Sequence, residues 1–234
     1  MAESSEVSSD ASNAAAHDAD AAVVVRHLGT RPYASTRAAM VEFTGARVPS
    51  TPDEIWLLEH EPVYTLGQAG RIAHLHGEVD IPIVHTERGG QITYHGPGQL
   101  IAYVLIDLRR RGIKVREFVV LLEQSVIEVL AAYNLAGCVR PGAPGVYVMH
   151  ERELQKIAAL GLKIVNGRSF HGLSLNVAMD LAPYARIDAC GYPGLKSIDM
   201  TRLGASASVE SLADRLAATL IDRIDAASRQ KAHG

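Results

Sequence analysis

The chain has 234 residues, a formal net charge of −3 and 47% hydrophobic residues. That length suits one large domain, or one domain with a tail, and the apolar share allows a sizeable core. The charge argues against a protein built to coat nucleic acid, and no uncharged apolar run is long enough to predict a bilayer span.

Residues 1–22 carry five acids and no lysine or arginine among alanines and serines. A secretory signal starts basic before an apolar stretch, and a mitochondrial presequence needs arginines. The segment therefore reads as a disordered tail before a single domain at 23–234. From there, β-branched runs between turn residues predict strands at 23–28, 54–59, 81–86, 91–94, 99–107, 145–149, 156–165 and 171–179. Helices are expected at 34–47, 115–134 and 209–229. The second places Phe118, Leu122, Val126, Val129 and Tyr133 on one stripe. The third follows the N-cap candidate Ser208 and aligns Leu212, Leu216, Leu220 and Ile224. Groups of strands joined by short turns, with helices between them, predict an α/β (α+β) fold with a mixed, largely antiparallel sheet flanked by helices.

Cys138 and Cys190 are too few for a disulfide scaffold and point to a reducing, cytoplasmic setting. Cys138, between Gly137 and Val139, reads as a small buried hydrophobe. Cys190 lies in the polar loop Asp188-Ala189-Cys190-Gly191-Tyr192-Pro193-Gly194, where a thiol can meet a substrate. The stretch Arg88-Gly89-Gly90-Gln91-Ile92-Thr93-Tyr94-His95-Gly96-Pro97-Gly98-Gln99 feeds an apolar strand. Its glycines let a ligand approach the main chain closely, so it reads as a pocket wall. His74 and His76 could share a strand face, but no third ligand stands at a suitable spacing, and no metal is expected. Arg109, Arg110, Arg111, Lys114 and Arg116 crowd the start of the second helix and read as a basic docking patch.

Together with Ile55–Gly67, Pro144–Val148, Lys156–Leu162 and His171–Val177, these motifs resemble the octanoyltransferases of lipoate biosynthesis. The likeness runs from about Val24 to Leu203. It implies the biotin/lipoyl protein ligase catalytic-domain fold and transfer of an octanoyl group to a lipoyl-domain lysine. The donor would be octanoyl-acyl carrier protein, and the acceptors lipoyl domains of 2-oxoacid dehydrogenases and the glycine cleavage H protein. No cofactor, membrane or nucleic acid is implied. The matching motifs make Cys190 the nucleophile and Lys156 its acid/base partner, since a nearby ammonium favours the thiolate. They make Arg88 through His95, Ala159, Leu160, Gly161, Gly172, Leu173 and Ser174 the substrate-binding positions. His95 and His171 fall in matching motifs without a catalytic assignment. The chain departs from the family pattern at 150–154, an extra hairpin tip, at Arg202, where a serine is usual, and in its acidic tail.

An exchange of thioesters is near energy-neutral, and attack by an amine then forms a far more stable amide, so a cysteine suits this two-step transfer. Three rivals remain. An ATP-dependent lipoate or biotin ligase would activate a free acid, a non-catalytic module would only capture acylated carriers, and a thioesterase would release free acid.

Overall fold

The computed structural model describes residues 22–232, so all but the last residue of the expected tail lies outside the described residues. In chain order the elements are β1 (Val24–Arg31), α1 (Tyr33–Ala46), β2 (Glu54–His60), β3 (Val63–Leu66), β4 (Ile83–His85), β5 (Ile92–His95) and β6 (Gln99–Leu105). They continue with α2 (Val115–Ala131), β7 (Gly137–Val139), β8 (Gly145–His150), β9 (Glu153–Val165), β10 (Arg168–Asn176) and α3 (Val209–Ala232). A seven-stranded sheet has the order β1-β2-β6-β10-β9-β8-β7 and is antiparallel except for the β1/β2 pair. A smaller sheet, β4-β3-β5, pairs β3 with β4 in parallel and with β5 antiparallel. The mixed, largely antiparallel α/β architecture is the one expected.

Strand alternation divides the packing. Ile55 and Leu57 of β2 face the main core beneath α2 and α3, whereas Trp56 and Leu58 face a second cluster with Met40 of α1. The expected α2 stripe is buried at Phe118, Leu122, Val126 and Val129, but Tyr133 falls past the helix end. Along α3, Leu212, Leu216, Leu220 and Ile224 are fully buried. Ser208 caps this helix as expected, its hydroxyl accepting from the Ser211 N–H at 3.1 Å.

Two short strands were not expected. β3 has four residues behind Pro62, and β7 has three including Gly137, too little for a periodic signal. At the expected hairpin tip, Glu151 and Arg152 take φ of 49° and 66°, and β9 begins earlier than predicted. Left-handed backbone at both central residues suits the twist of a two-residue hairpin turn. Cys138 corrects its sequence reading: it is exposed, because β7 is an edge strand at the end of the sheet.

Two members of the expected basic docking patch, Arg110 and Arg111, turn inward, while Arg109, Lys114 and Arg116 are exposed. The Asp53 carboxylate is fully buried and accepts from Arg47, from Arg110 at 2.7 Å and from Arg111 at 2.8 Å, besides the Asp107 N–H at 2.8 Å. Arg111 is 1% exposed and also bonds Asp225 of α3 at 2.8 Å. These arginines tie the loop before α2 to α3 and to the start of β2. Burial opposes the Asp53 charge most strongly, yet its N–H and guanidinium partners hold the carboxyl below its usual range. Removing one member strands the others. Asp53→Ala should lower unfolding free energy in urea by about 3–5 kcal/mol, the usual cost of leaving buried charges unpartnered. A loss under 1 kcal/mol would show that the arginines find solvent instead.

Candidate functional site

Lys156 stands in β9 where the ladder with β8 slips: Val146 pairs with Ala158 and Tyr147 with Lys156, leaving Ile157 unopposed. Such a bulge bends the strand and re-aims a side chain. The Lys156 ammonium donates to the Pro144 carbonyl at 2.9 Å and to Cys190 Sγ at 2.8 Å, and lies 5.1 Å from the Tyr147 ring centroid. Lys156 is buried, and among the described residues it makes no ion pair with a carboxylate. Gly145 gives it room, since a Cβ there would lie 2.5 Å from Lys156 Cε. The Gly145 N–H is fixed by the buried Glu123 carboxylate at 2.9 Å.

Cys190 occupies a short 3-10 turn, Ala189–Gly191, with φ of 59°. Non-glycine residues pay for this left-handed conformation in strain, which persists only when surrounding structure imposes it. Two anchors impose it. Upstream, the Asp188 N–H donates to the His74 carbonyl at 2.9 Å, and its carboxylate meets His74 Nδ1 at 3.1 Å and His76 Nε2 at 3.0 Å. These bonds, His76 first, hold the Asp188 carboxyl below its usual range. Downstream, the chain clips to Lys156 itself: its N–H donates to the Lys196 carbonyl at 2.9 Å and its carbonyl accepts from the Ile198 N–H at 3.0 Å. The two histidines once considered as ligands thus brace the cysteine loop, and no cluster suited to a metal occurs among the described residues.

Cys190 opens into a slot that brings most of the expected substrate positions together. Gly90, Gln91, Ile92, Thr93 and His95 line one side, Ala159, Leu160 and Gly161 of β9 another, and Gly172, Leu173 and Ser174 of β10 the floor. Gly89 lines a second opening, which shares Gly90, Gln91, Leu160, Gly161 and Cys190 with the slot. Tyr94 turns the opposite way, into a cluster with Tyr64 and Tyr184 behind the small sheet. Sequence reading missed Tyr33, Ile101 and Tyr103, which complete the slot. No motif marks Tyr33. Ile101 and Tyr103, two apart on β6, carried only strand alternation as a signal.

Arg88 reaches the slot wall but spends its guanidinium on the protein. It donates to the Thr65 carbonyl at 2.6 Å, the Gln91 carbonyl at 2.8 Å and the Gly89 carbonyl at 2.9 Å. It is therefore the peg that folds the glycine-rich turn. Burial lowers its pKa from the ordinary arginine value. Gly172 is required by packing, since a Cβ there would lie 2.0 Å from the Ala102 carbonyl oxygen.

The slot histidines are neutral near pH 7. Burial pushes His95 down to about 3, while its ring nitrogens meet Gln99 Oε1 at 2.7 Å and Thr65 Oγ1 at 3.3 Å. Burial likewise pushes His171 down to about 4, despite the Glu87 carboxylate at 2.9 Å.

The chain is similar to known proteins at two levels, in sequence and in fold. Residues 34–225 match the family model for the lipoyl protein ligase A/B catalytic domain. The chain belongs to that family. An octanoyltransferase of Burkholderia pseudomallei is 56% identical over 88% of this chain and 92% of its own length. One from Aromatoleum aromaticum is 57% identical over 85% of this chain and 84% of its own. Among solved structures, a bipartite lipoate protein ligase from Thermoplasma acidophilum aligns with TM-score 0.66 at 14% identity, over 88% of this chain and 90% of that one. Lipoate-protein ligase A bound with ATP aligns with TM-score 0.62 at 13% identity, covering 89% and 92%. These distant likenesses confirm the ligase-type fold.

The neutral histidines set a pH dependence. Their folded-state pKa values lie below the unfolded value near 6.5, so the unfolded chain binds more protons as pH falls. Stability is complete above about pH 6.5 and declines toward pH 4, by about 2 kcal/mol per buried histidine at pH 5. Urea unfolding at pH 7, 6 and 5 measures this, and His171→Gln should flatten the slope. An unchanged slope in that variant would mean His171 is not the proton acceptor.

Proposed function

We propose that the protein transfers an octanoyl group from octanoyl-acyl carrier protein to the target lysine of lipoyl domains through a thioester on Cys190. The observation that carries this reading is the Lys156 ammonium 2.8 Å from Cys190 Sγ at the mouth of an apolar slot. In the first half-reaction the Cys190 thiolate attacks the donor's thioester carbonyl. The carrier's C–S bond breaks, and Lys156 gives its proton to the departing sulfur. The slot holds the alkyl chain, each methylene contributing roughly 0.8 kcal/mol on leaving water.

In the second half-reaction the acceptor's lysine amine attacks the acyl-enzyme. The bond to Cys190 Sγ breaks, an amide forms, and Lys156 takes up the amine's proton. Arg88 adds a buried positive charge without a carboxylate partner among the described residues, which favours negative charge developing on the carbonyl oxygen. The residues Arg88 through His95, Ala159 to Gly161 and Gly172 to Ser174 serve as the substrate site. Tyr94 serves it only through packing, and Arg88 mainly by shaping the turn. The acceptors on this reading are lipoyl domains of 2-oxoacid dehydrogenases and the glycine cleavage H protein. The reaction is the first step of endogenous protein lipoylation, in the cytoplasm, by one domain spanning 23–234.

Incubation with octanoyl-carrier and no nucleotide should add one octanoyl mass to the protein, mapped to Cys190. Cys190→Ser should abolish both adduct and amide product, while Cys138→Ser, altered on the exposed edge strand, stays active. Turnover that requires ATP would instead identify a ligase activating free acid, and free octanoate as product would identify a thioesterase. Lys156→Met should slow transfer by about 10²-fold or more, the usual scale of lost proton transfer. It should also slow iodoacetamide alkylation of Cys190 at pH 7. Unchanged alkylation would mean the ammonium does not activate this sulfur.

A further inference from the structure

Cys190 borders the slot, a small cavity beside Lys156 and Tyr184, and a further groove that the slot does not account for. This groove is walled by Gly89, Gln91, Gly142, Pro144, Leu162 and Tyr192. Its walls are mostly apolar, but two polar features near it have no hydrogen-bond or carboxylate partner among the described residues. Gln91 Oε1 is buried and accepts no hydrogen bond. The Gln91 side chain lies beside the cysteine loop, within 3.1 Å of where a Gly191 Cβ would stand.

The other feature is Arg140, in a neighbouring depression that shares Tyr192 with the groove and also holds the Lys196–Glu153 ion pair. Arg140 is exposed, forms no ion pair among the described residues, and holds its guanidinium 5.2 Å above the Tyr192 ring. Its carbonyl accepts from the Ala143 N–H at 3.2 Å, closing the turn that carries Gly142 and Pro144 along the groove. The groove thus runs from the sulfur, past an unused amide acceptor, to Tyr192, where it adjoins the depression that holds Arg140.

We infer that this groove receives the donor's phosphopantetheine arm, with Arg140 binding its phosphate and Gln91 accepting one of its amide N–H groups. This assignment rests on the transfer reading above and specifies how the donor is recognised. A phosphopantetheine thioester has the matching order of groups: a sulfur, two amides along a slender chain, and an anion at the far end. The acceptor's lysine would bring a cation to the same place, which Arg140 opposes. The terminal torsion of Gln91 is soft, so its carboxamide can turn toward the arm. Arginine suits this place because its planar fork pairs with phosphate oxygens while its face stays on the tyrosine ring.

The test compares two small donors lacking any carrier protein, octanoyl-pantetheine and octanoyl-4′-phosphopantetheine, with a lipoyl domain as acceptor. For the wild type the phosphorylated donor should show a KM lower by about tenfold, the effect of one charge-assisted contact. Arg140→Gln should erase that difference by raising the KM of the phosphorylated donor at near-constant kcat, and Arg140→Lys should restore part of it. Equal KM values for both donors with the wild type would overturn the inference, as would an equal loss with both donors in Arg140→Gln. Wild-type transfer from octanoyl-pantetheine without discrimination would remove this inference alone. Failure to transfer from either donor would remove the transfer reading as well.

Discussion

A buried ammonium without a carboxylate is the constraint on which the rest of the site depends. Lys156 has three N–H donors and finds the Pro144 carbonyl, the Cys190 sulfur and the face of the Tyr147 ring. A charge taken out of water needs compensation; the carbonyl cannot ionise and burial raises the Tyr147 phenol's pKa, which leaves the sulfur as the group to become an anion. The surroundings are arranged around that requirement. Gly145 leaves room for the ammonium, Glu123 fixes the Gly145 N–H, and the bulge at Ile157 turns Lys156 toward the loop.

The sulfur is held as firmly as the ammonium. Cys190 and His171 both adopt left-handed backbone, with φ of 59° and 62°, and both border the slot. In β10, His171 is fixed by Glu87, which Arg37 of α1 binds at 2.7 Å. At Cys190, the upstream anchor is the His74–Asp188–His76 contact and the downstream one is the ladder onto Lys156. Because the second anchor runs through Lys156's own backbone, the cysteine loop and the lysine cannot shift independently. A donor–acceptor distance of 2.8 Å is therefore a property of the main chain as much as of the side chains.

Much of this was legible in the chain. Apolar spacing along α3 and the Ser208 cap were read directly, since both signals are local. The central strand β6 was also readable, because it is almost wholly apolar, as a strand buried on both faces can be, whereas β10 is buried on both faces with polar residues on each. Arg88 and Tyr94 show where legibility ends. A motif places both beside the substrate, but alternation turns Tyr94 to the rear, and backbone carbonyls of the turn and of β3 capture the Arg88 guanidinium. Arg110 and Arg111 show the same limit more sharply. Of five basic residues in a short segment that all read as surface charge, these two are drawn inward by Asp53, distant in sequence, while Arg109, Lys114 and Arg116 stay exposed. Cys138 failed for the opposite reason: its apolar neighbours suggest burial, but nothing local reveals that its strand is an edge.

The slot's composition poses one last physical question, since tyrosines and histidines wall a space that must hold hydrocarbon on the proposed reading. Each of these rings has a polar partner. Tyr33 Oη donates to Thr86 Oγ1 at 3.0 Å, and Tyr103 Oη meets His60 Nε2 at 2.6 Å. His171 meets Glu87 and His95 meets Gln99 in the same manner. What remains facing inward is ring surface, apolar to an alkyl chain. A wall of leucines would be equally apolar but free to change rotamer. Rings fixed by buried hydrogen bonds cannot yield without breaking them, at about 1–3 kcal/mol for each group left unsatisfied. The polar residues thus make the slot stiff without making it wet, and neutral histidines keep the walls uncharged. Positive charge is left to Arg88 and Lys156, near the reacting sulfur.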